Sequence, residues 1–191
     1  DLLESRKTPD AIILTYVSFH DFRNQVSRNR SRQIRGFGSI FKQLDARIEK
    51  QGRLQISLKE LPPAASTLAH YFAFCEALEN YLADKPYDRK ALSTLADRLM
   101  EECILLAQEK GVKHIIVATM TNDKRSKDIR TLAERLGAHA VDISVNLSKP
   151  GARLLPHNNH PSAMTNKKYF QRLHHYLTAN VLPKPRTLPS R

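Results

Sequence analysis

The sequence predicts an α/β fold built on a parallel sheet, and two observations carry that reading. Continuous apolar, β-branched runs alternate with stripes of 3.6-residue period through the second half of the chain. Two of those stripes stop at a glycine, Gly111 and Gly137, directly before the next apolar run. The first run, Ala11-Ile12-Ile13-Leu14-Thr15-Tyr16-Val17, follows Pro9-Asp10 and reads as a strand buried on both faces, as parallel strands are. Residues 112–119 (Val112 to Thr119) and the shorter 138–143 (Ala138 to Ile143) read as two more strands.

The helices between them follow from caps and periodicity. Asp88 is placed to cap a long helix reaching Lys110, with Leu92, Leu95, Ala96, Leu99, Cys103 and Leu106 on its inner stripe. Asp123 or Ser126 opens the next, where Ile129, Leu132, Ala133 and Leu136 keep the i, i+3, i+4, i+7 spacing. Ser162 caps the last helix, with Tyr169, Phe170, Leu173, Tyr176 and Leu177 inward. The stretch between the first two strands is long. It predicts a helix over 39–50 (Ile40, Phe41, Leu44 and Ile48 inward) and another over 64–83 carrying Leu68, Phe72, Cys75, Leu78 and Leu82. Together they read as a helical insertion over about residues 36–86, either roofing a site or serving as scaffold, within one α/β domain at 1–182. Pro183, Pro185 and Pro189 mark 183–191 as a flexible tail.

Composition narrows the classes. A chain of 191 residues with 41% hydrophobic content suffices for one buried core. No apolar run nears the roughly 20 residues that span a bilayer, so no transmembrane segment is expected. The opening residues Asp1-Leu2-Leu3-Glu4-Ser5-Arg6-Lys7 carry no signal pattern, and the compartment stays open. Two cysteines, Cys75 and Cys103, both in apolar helical settings, read as buried free thiols, with a single bridge as the alternative. Six glycines and no glycine-rich phosphate loop disfavour nucleotide-dependent chemistry, and no cofactor is expected. Thirty-one basic against 19 acidic side chains, +12 in all, favour an anionic partner: glycan, nucleic acid or membrane surface. The densest patch runs from Arg23 and Asn24 through Arg28, Arg30 and Arg32 to Arg35, without aromatic residues inside it.

Two short blocks carry candidate chemistry. Tyr16-Val17-Ser18-Phe19-His20-Asp21-Phe22 directly follows the first strand, where parallel sheets place their ligand sites. Leu155-Pro156-His157-Asn158-Asn159-His160-Pro161-Ser162 puts a titratable imidazole on a loop before a helix, where a general base is held still. His157 and His160 share a His-x-x-His spacing, and His174-His175 lie on the last helix. No third or fourth ligand accompanies them at a metal-site spacing, so no metal is expected. Ser144 and Ser148 follow the third strand but lack the Gly-x-Ser-x-Gly elbow that exposes a nucleophile.

These two blocks, in this order and helix–strand setting, resemble the SGNH (GDSL-type) hydrolases over about residues 9–180. The second block is similar to that family's Asp-Gly-His-Pro-Ser-like run, with His160 at the histidine and Asn158 at the acid. The first is similar to its Gly-x-Asn-Asp block, with Ser18 at the glycine, His20 at the asparagine and Asp21 at the aspartate. The resemblance implies a three-layer α/β/α sandwich of flavodoxin-like type and hydrolysis of an acyl or acetyl ester through a serine acyl-enzyme. His160 would be the general base, His20 an oxyanion donor and Asp21 an acceptor that fixes the turn. Asn158 offers a carbonyl to orient the imidazole but no charge; a backbone carbonyl or another acid are the alternatives. The family's Gly-Asp-Ser run is not in this sequence.

The first apolar strand begins almost at residue 1, and a doubly buried strand needs a neighbour on each edge. Three explanations stand. The chain is the later portion of a longer domain, or it closes its sheet another way, using residues 52–58, or a companion chain supplies the missing N-terminal strands. The first is preferred. The rival class is a catalytically degenerate module that binds an anionic partner through Arg23, Arg28, Arg30, Arg32 and Arg35.

Overall fold

Residues 115–119 (Ile115 to Thr119) are all buried, and the parallel sheet is organised around them. The structure, a computed structural model, describes residues 8–18, 21, 42–60, 88–154 and 160–182. In chain order the elements are β1 (Ala11–Tyr16), β2 (Lys42–Ile48), β3 (Leu54–Glu60), α1 (Arg89–Glu109), β4 (His114–Thr119), α2 (Lys124–Arg135), β5 (His139–Asp142) and α3 (Ala163–Asn180). The chain divides into two compact units, one of Asp1–Ser18 with Met100–Arg191, the other Phe19–Leu99.

In the first unit β1, β4 and β5 form a parallel sheet in the order β1-β4-β5. Ile13 registers with Ile116, and Val117 with Ala140. Successive side chains of β4 point to opposite faces. Ile115 and Val117 join a core with Ile104, Ala107, Ile129, Leu132 and Ala133 from α1 and α2. Ile116 and Ala118 join a second core with Val141, Ile143 and Tyr169, against which Leu173, Tyr176 and Leu177 of α3 pack. The chain is therefore a mixed α/β protein on a parallel three-stranded sheet, among the described residues.

Local chemistry places the helix ends as expected. The Asp88 carboxylate accepts from the backbone N–H groups of Lys90 (2.9 Å) and Ala91 (3.1 Å). Gly111, at φ +77°, lets Val112 N–H turn back to the Ala107 carbonyl and ends α1. Asp123 caps α2 and Ser162 caps α3.

Three expectations about burial are corrected. Among the described residues β1 is terminal in its sheet, and Ile13 is 43% exposed rather than buried on both faces. On α1 the inner stripe passes from Leu92, Leu95 and Ala96 through Met100 to Ile104 and Ala107. Steps of three and four residues carry it there, leaving Leu106 42% exposed and Cys103 exposed and free. Partial desolvation of the Cys103 thiol, and then the Glu102 carboxylate, push its pKa up. On α3, Tyr169, Leu173, Tyr176 and Leu177 complete the inner arc. Phe170, one residue of rotation away from Tyr169, turns outward at 65% exposure.

The second unit differs most from expectation. Where a helix over 39–50 was predicted, β2 pairs antiparallel with β3, Ile48 opposite Leu54 and Ala46 opposite Ile56. Leu44 and Ile48, four apart, fit a helical stripe as well as a strand face; the turn decides. Glu49 N–H donates to the Arg53 carbonyl and Gly52, at φ +76°, closes the loop, which brings the two runs side by side. Of the predicted insertion over 36–86, residues 42–60 are thus a hairpin, and the helix expected over 64–83, with Cys75, lies outside the described residues. The expectation that 52–58 might edge the parallel sheet is also corrected: among the described residues β3 pairs with β2 in a separate two-stranded sheet. On the polar face of the hairpin Asp45 is 1% exposed and meets Arg47 at 2.7 Å and Lys59 at 2.6 Å. A carboxylate buried this far is stable only with such partners. The 183–191 tail lies outside the described residues. No helix among those described is long and apolar enough to cross a membrane.

The rotated α1 stripe has a measurable consequence. Ile104→Ala is expected to cost about 2–5 kcal/mol in urea unfolding, while Leu106→Ala changes stability by about 0.5 kcal/mol or less. Equal losses would restore the stripe read from the sequence.

Candidate functional site at the carboxyl ends of the strands

The backbone of a parallel sheet directs all its strand ends to one rim, and polar residues follow each of them here. After β1 comes Ser18, after β4 come Met120, Thr121, Asn122 and Asp123, and after β5 comes Ser144. The Met120 N–H donates to the Tyr16 carbonyl (2.9 Å) and the Ile143 N–H to the Thr119 carbonyl (3.0 Å), so the three strand exits stay hydrogen-bonded past the last register pair.

Side chains then staple the exits together. The Ser18 hydroxyl donates to the Asp123 carboxylate, and the Ser18 N–H donates to Thr121 Oγ1 at 3.4 Å. Thr121 Oγ1 lies 2.6 Å from Ser126 Oγ, and the other Asp123 oxygen accepts from the Ser126 N–H at 2.8 Å. Partial burial pushes the Asp123 pKa up, but hydrogen bonds from Ser18, from the Ser126 N–H and hydroxyl and from Thr121 outweigh it and hold the carboxyl below its ordinary range. Beside this cluster, Arg130 Nη1 donates to the buried Thr119 hydroxyl at 2.6 Å and lies 3.8 Å from the Asp142 carboxylate. Its Nη2 reaches the Asn122 side-chain oxygen at 3.5 Å. The rim thus holds two carboxylates, a guanidinium and four hydroxyls, drawn from β1, β4 and β5 at their carboxyl ends and from α2.

His160 arrives at the same end of the sheet by topology. The Arg172 guanidinium donates to the Ser144 carbonyl just past β5, and the Tyr176 ring lies 6.4 Å from the His139 ring at the start of β5. α3 therefore runs antiparallel to β5, and its first turn stands on the carboxyl side of the sheet. The backbone around His160 is pinned there. Its carbonyl accepts from Leu154 N–H (3.0 Å), Pro161 bridges Arg153, and Ser162 N–H donates to the Ala152 carbonyl (2.9 Å). The buried Thr165 hydroxyl donates to that same carbonyl at 2.8 Å. His160 itself is exposed.

Of the other residues singled out from the sequence, Asp21 is half-buried and belongs to the second unit. His20, Asn158, Arg23, Asn24, Arg28 and Arg30 lie outside the described residues, as does His157. In the sequence Thr121, Asn122 and Arg130 are passed over and Ser126 is taken only as a helix cap, although the rule that ligand sites follow strand ends points to Thr121 and Asn122 after the second apolar run as much as to Ser18 after the first. Among the described residues no three His, Cys, Asp or Glu side chains form a group fit to hold a metal ion. No family model matches the chain, and no curated protein or solved structure does so either.

Asp123 sets a pH dependence with a definite sign. Its folded pKa is depressed, so its contribution to stability is present above the unfolded carboxyl value and is lost as pH falls through the folded one. Asp123→Asn keeps a capping side chain but removes that titration. Its stability, measured by urea unfolding across acid pH, is expected to fall less steeply than that of the unaltered chain; parallel curves would mean that the Ser18–Asp123 staple is not formed.

Proposed function

We propose that the chain is the later portion of an SGNH-like serine ester hydrolase domain in which His160 is the general base. The observation that supports this reading is that Ser18, at the head of the first block, is stapled to the β4 exit, and His160 is pinned at the start of α3 on the same side of the sheet. A hydroxyl attacking from that rim would lose its proton to the imidazole, which would return it to the leaving alcohol. His20 donates to the developing oxyanion and Asp21 fixes the turn that presents it. Asn158 holds the imidazole through its carbonyl without adding charge. In serine-protease triads the same exchange of acid for amide lowers the rate by about 10⁴, so slow turnover belongs to the reading.

The fold expected for such a domain is a three-layer α/β/α sandwich, and the two separate cores on opposite faces of β4 support it. Ser18 is not the nucleophile, because its hydroxyl is committed to Asp123. The reading requires an attacking serine in a Gly-Asp-Ser run, which these 191 residues do not hold. β1, terminal among the described strands and exposing Ile13, has an edge to which the strand bearing that serine can add.

The test joins the chain to the segment encoded upstream in its reading frame and assays p-nitrophenyl acetate. Slow turnover is expected, with His160→Ala lowering it by about 10²–10⁴-fold and Asn158→Asp raising it. No turnover with the upstream segment present overturns the reading.

A further inference from the structure

The outer face of α3 carries a charge and ring pattern that the rim chemistry does not use. Between Ala163 and Asn180 the helix has Lys167, Lys168, Arg172, His174 and His175 and no acidic residue. Its apolar arc is spent on the sheet, through Tyr169, Leu173, Tyr176 and Leu177. Yet Phe170 is turned outward at 65% exposure, the most exposed of the large apolar side chains among the described residues. It is not alone there. The His174 ring, one turn further on, lies 5.7 Å from the Phe170 ring at an interplanar angle of 31°. Both residues are exposed, and Lys167 stands one turn before them on the same face. On the other flank a shallow groove of about 570 Å³ runs between α3 and β5, with Gln171, Arg172, His175 and Tyr176 and the Asp142 carboxylate in its walls.

A solvated basic face explains the lysines but not a phenyl ring held out beside them. An anionic bilayer would need a contiguous apolar stripe beside the charges. Here that stripe is buried, and the exposed apolar side chains Met164, Phe170 and Leu182 are spaced six and twelve residues apart rather than joined in a stripe. A polysulfated or polycarboxylate glycan satisfies the charge but does not need a planar stacking surface. Flat rings flanked by cations match single-stranded nucleic acid, whose bases stack on aromatic faces while the phosphates meet lysine. We propose that the exposed face of α3 binds single-stranded nucleic acid without sequence preference, Phe170 and His174 forming the stacking platform and Lys167 and Lys168 the phosphate contacts. This surface is separate from the strand-end rim, and the assignment holds whether or not that rim hydrolyses esters.

The experiment measures fluorescence anisotropy of a fluorescein-labelled oligothymidylate against the full chain over a range of salt. Binding that weakens as salt rises is expected. Phe170→Ala weakens it about five-fold or more at fixed salt, as the loss of one stacked base does, and leaves the salt slope alone. Lys167→Ala with Lys168→Ala reduces the slope of log affinity against log salt by about 1.4, some 0.7 for each phosphate contact. All three side chains are exposed, so the variants are expected to keep the circular dichroism and unfolding midpoint of the unaltered chain. Absence of binding at low salt overturns the assignment. So does binding that survives both variants and fails only when Arg28, Arg30 and Arg32 are replaced. Equal displacement by heparin combined with no effect of Phe170→Ala leaves charge alone and overturns it too.

Discussion

Everything in the parallel-sheet unit depends on β4 being buried from both sides. Its alternate residues feed two cores, Ile115 and Val117 on one face and Ile116 and Ala118 on the other. Burying a side chain of this size contributes about 1.5–3 kcal/mol, and a strand that does so on both faces needs packed elements above and below it. α1 and α2 supply one layer of contacts and α3 the other. The flanking strands β1 and β5 satisfy its backbone on each edge. The same constraint sets the site, because a strand held this rigidly fixes where its carboxyl end delivers Thr119, Thr121 and Asp123.

At that end the chain exchanges apolar packing for hydrogen bonding. Thr119 is fully buried, and its hydroxyl accepts from Arg130. Asp123 serves twice, as the cap of α2 and as the acceptor that ties the β1 exit to the β4 exit. Such double use is economical: the carboxylate that a helix N-terminus favours on electrostatic grounds also orders a neighbouring loop.

The two basic features of the chain differ in kind. The arginine-rich run near residues 23–35 is a matter of sequence density, with no ring inside it. On α3 fewer charges are arranged by the helix, and packing of one arc against the sheet forces Lys167, Phe170 and His174 onto the other. An overall charge of +12 makes anionic partners attractive everywhere on the surface. Geometry, rather than charge, is what separates a binding face from a solvated one.

The sequence by itself determined the α/β class, the three parallel strands, the three helices that follow Asp88, Asp123 and Ser162, and the stops at Gly111 and Gly137. Each of these rests on chemistry within a few residues: a cap, a β-branched run, a positive-φ glycine. It did not determine which way side chains faced where two readings shared the same residues. Leu44 and Ile48 suit a helix or a strand, and the pairing of residues 42–48 with 54–60 settled it. Phe170 and Leu106 sit at the border of their stripes, and the rotation of each helix against its neighbours turned them out. The rim was half legible. Ser18 and His160 lie in recognisable blocks, whereas Thr121, Ser126 and Arg130 gain their meaning only when β1 and β4, about a hundred residues apart in sequence, lie side by side. Local propensity is written along the chain; contact between distant strand ends is a property of the folded sheet alone.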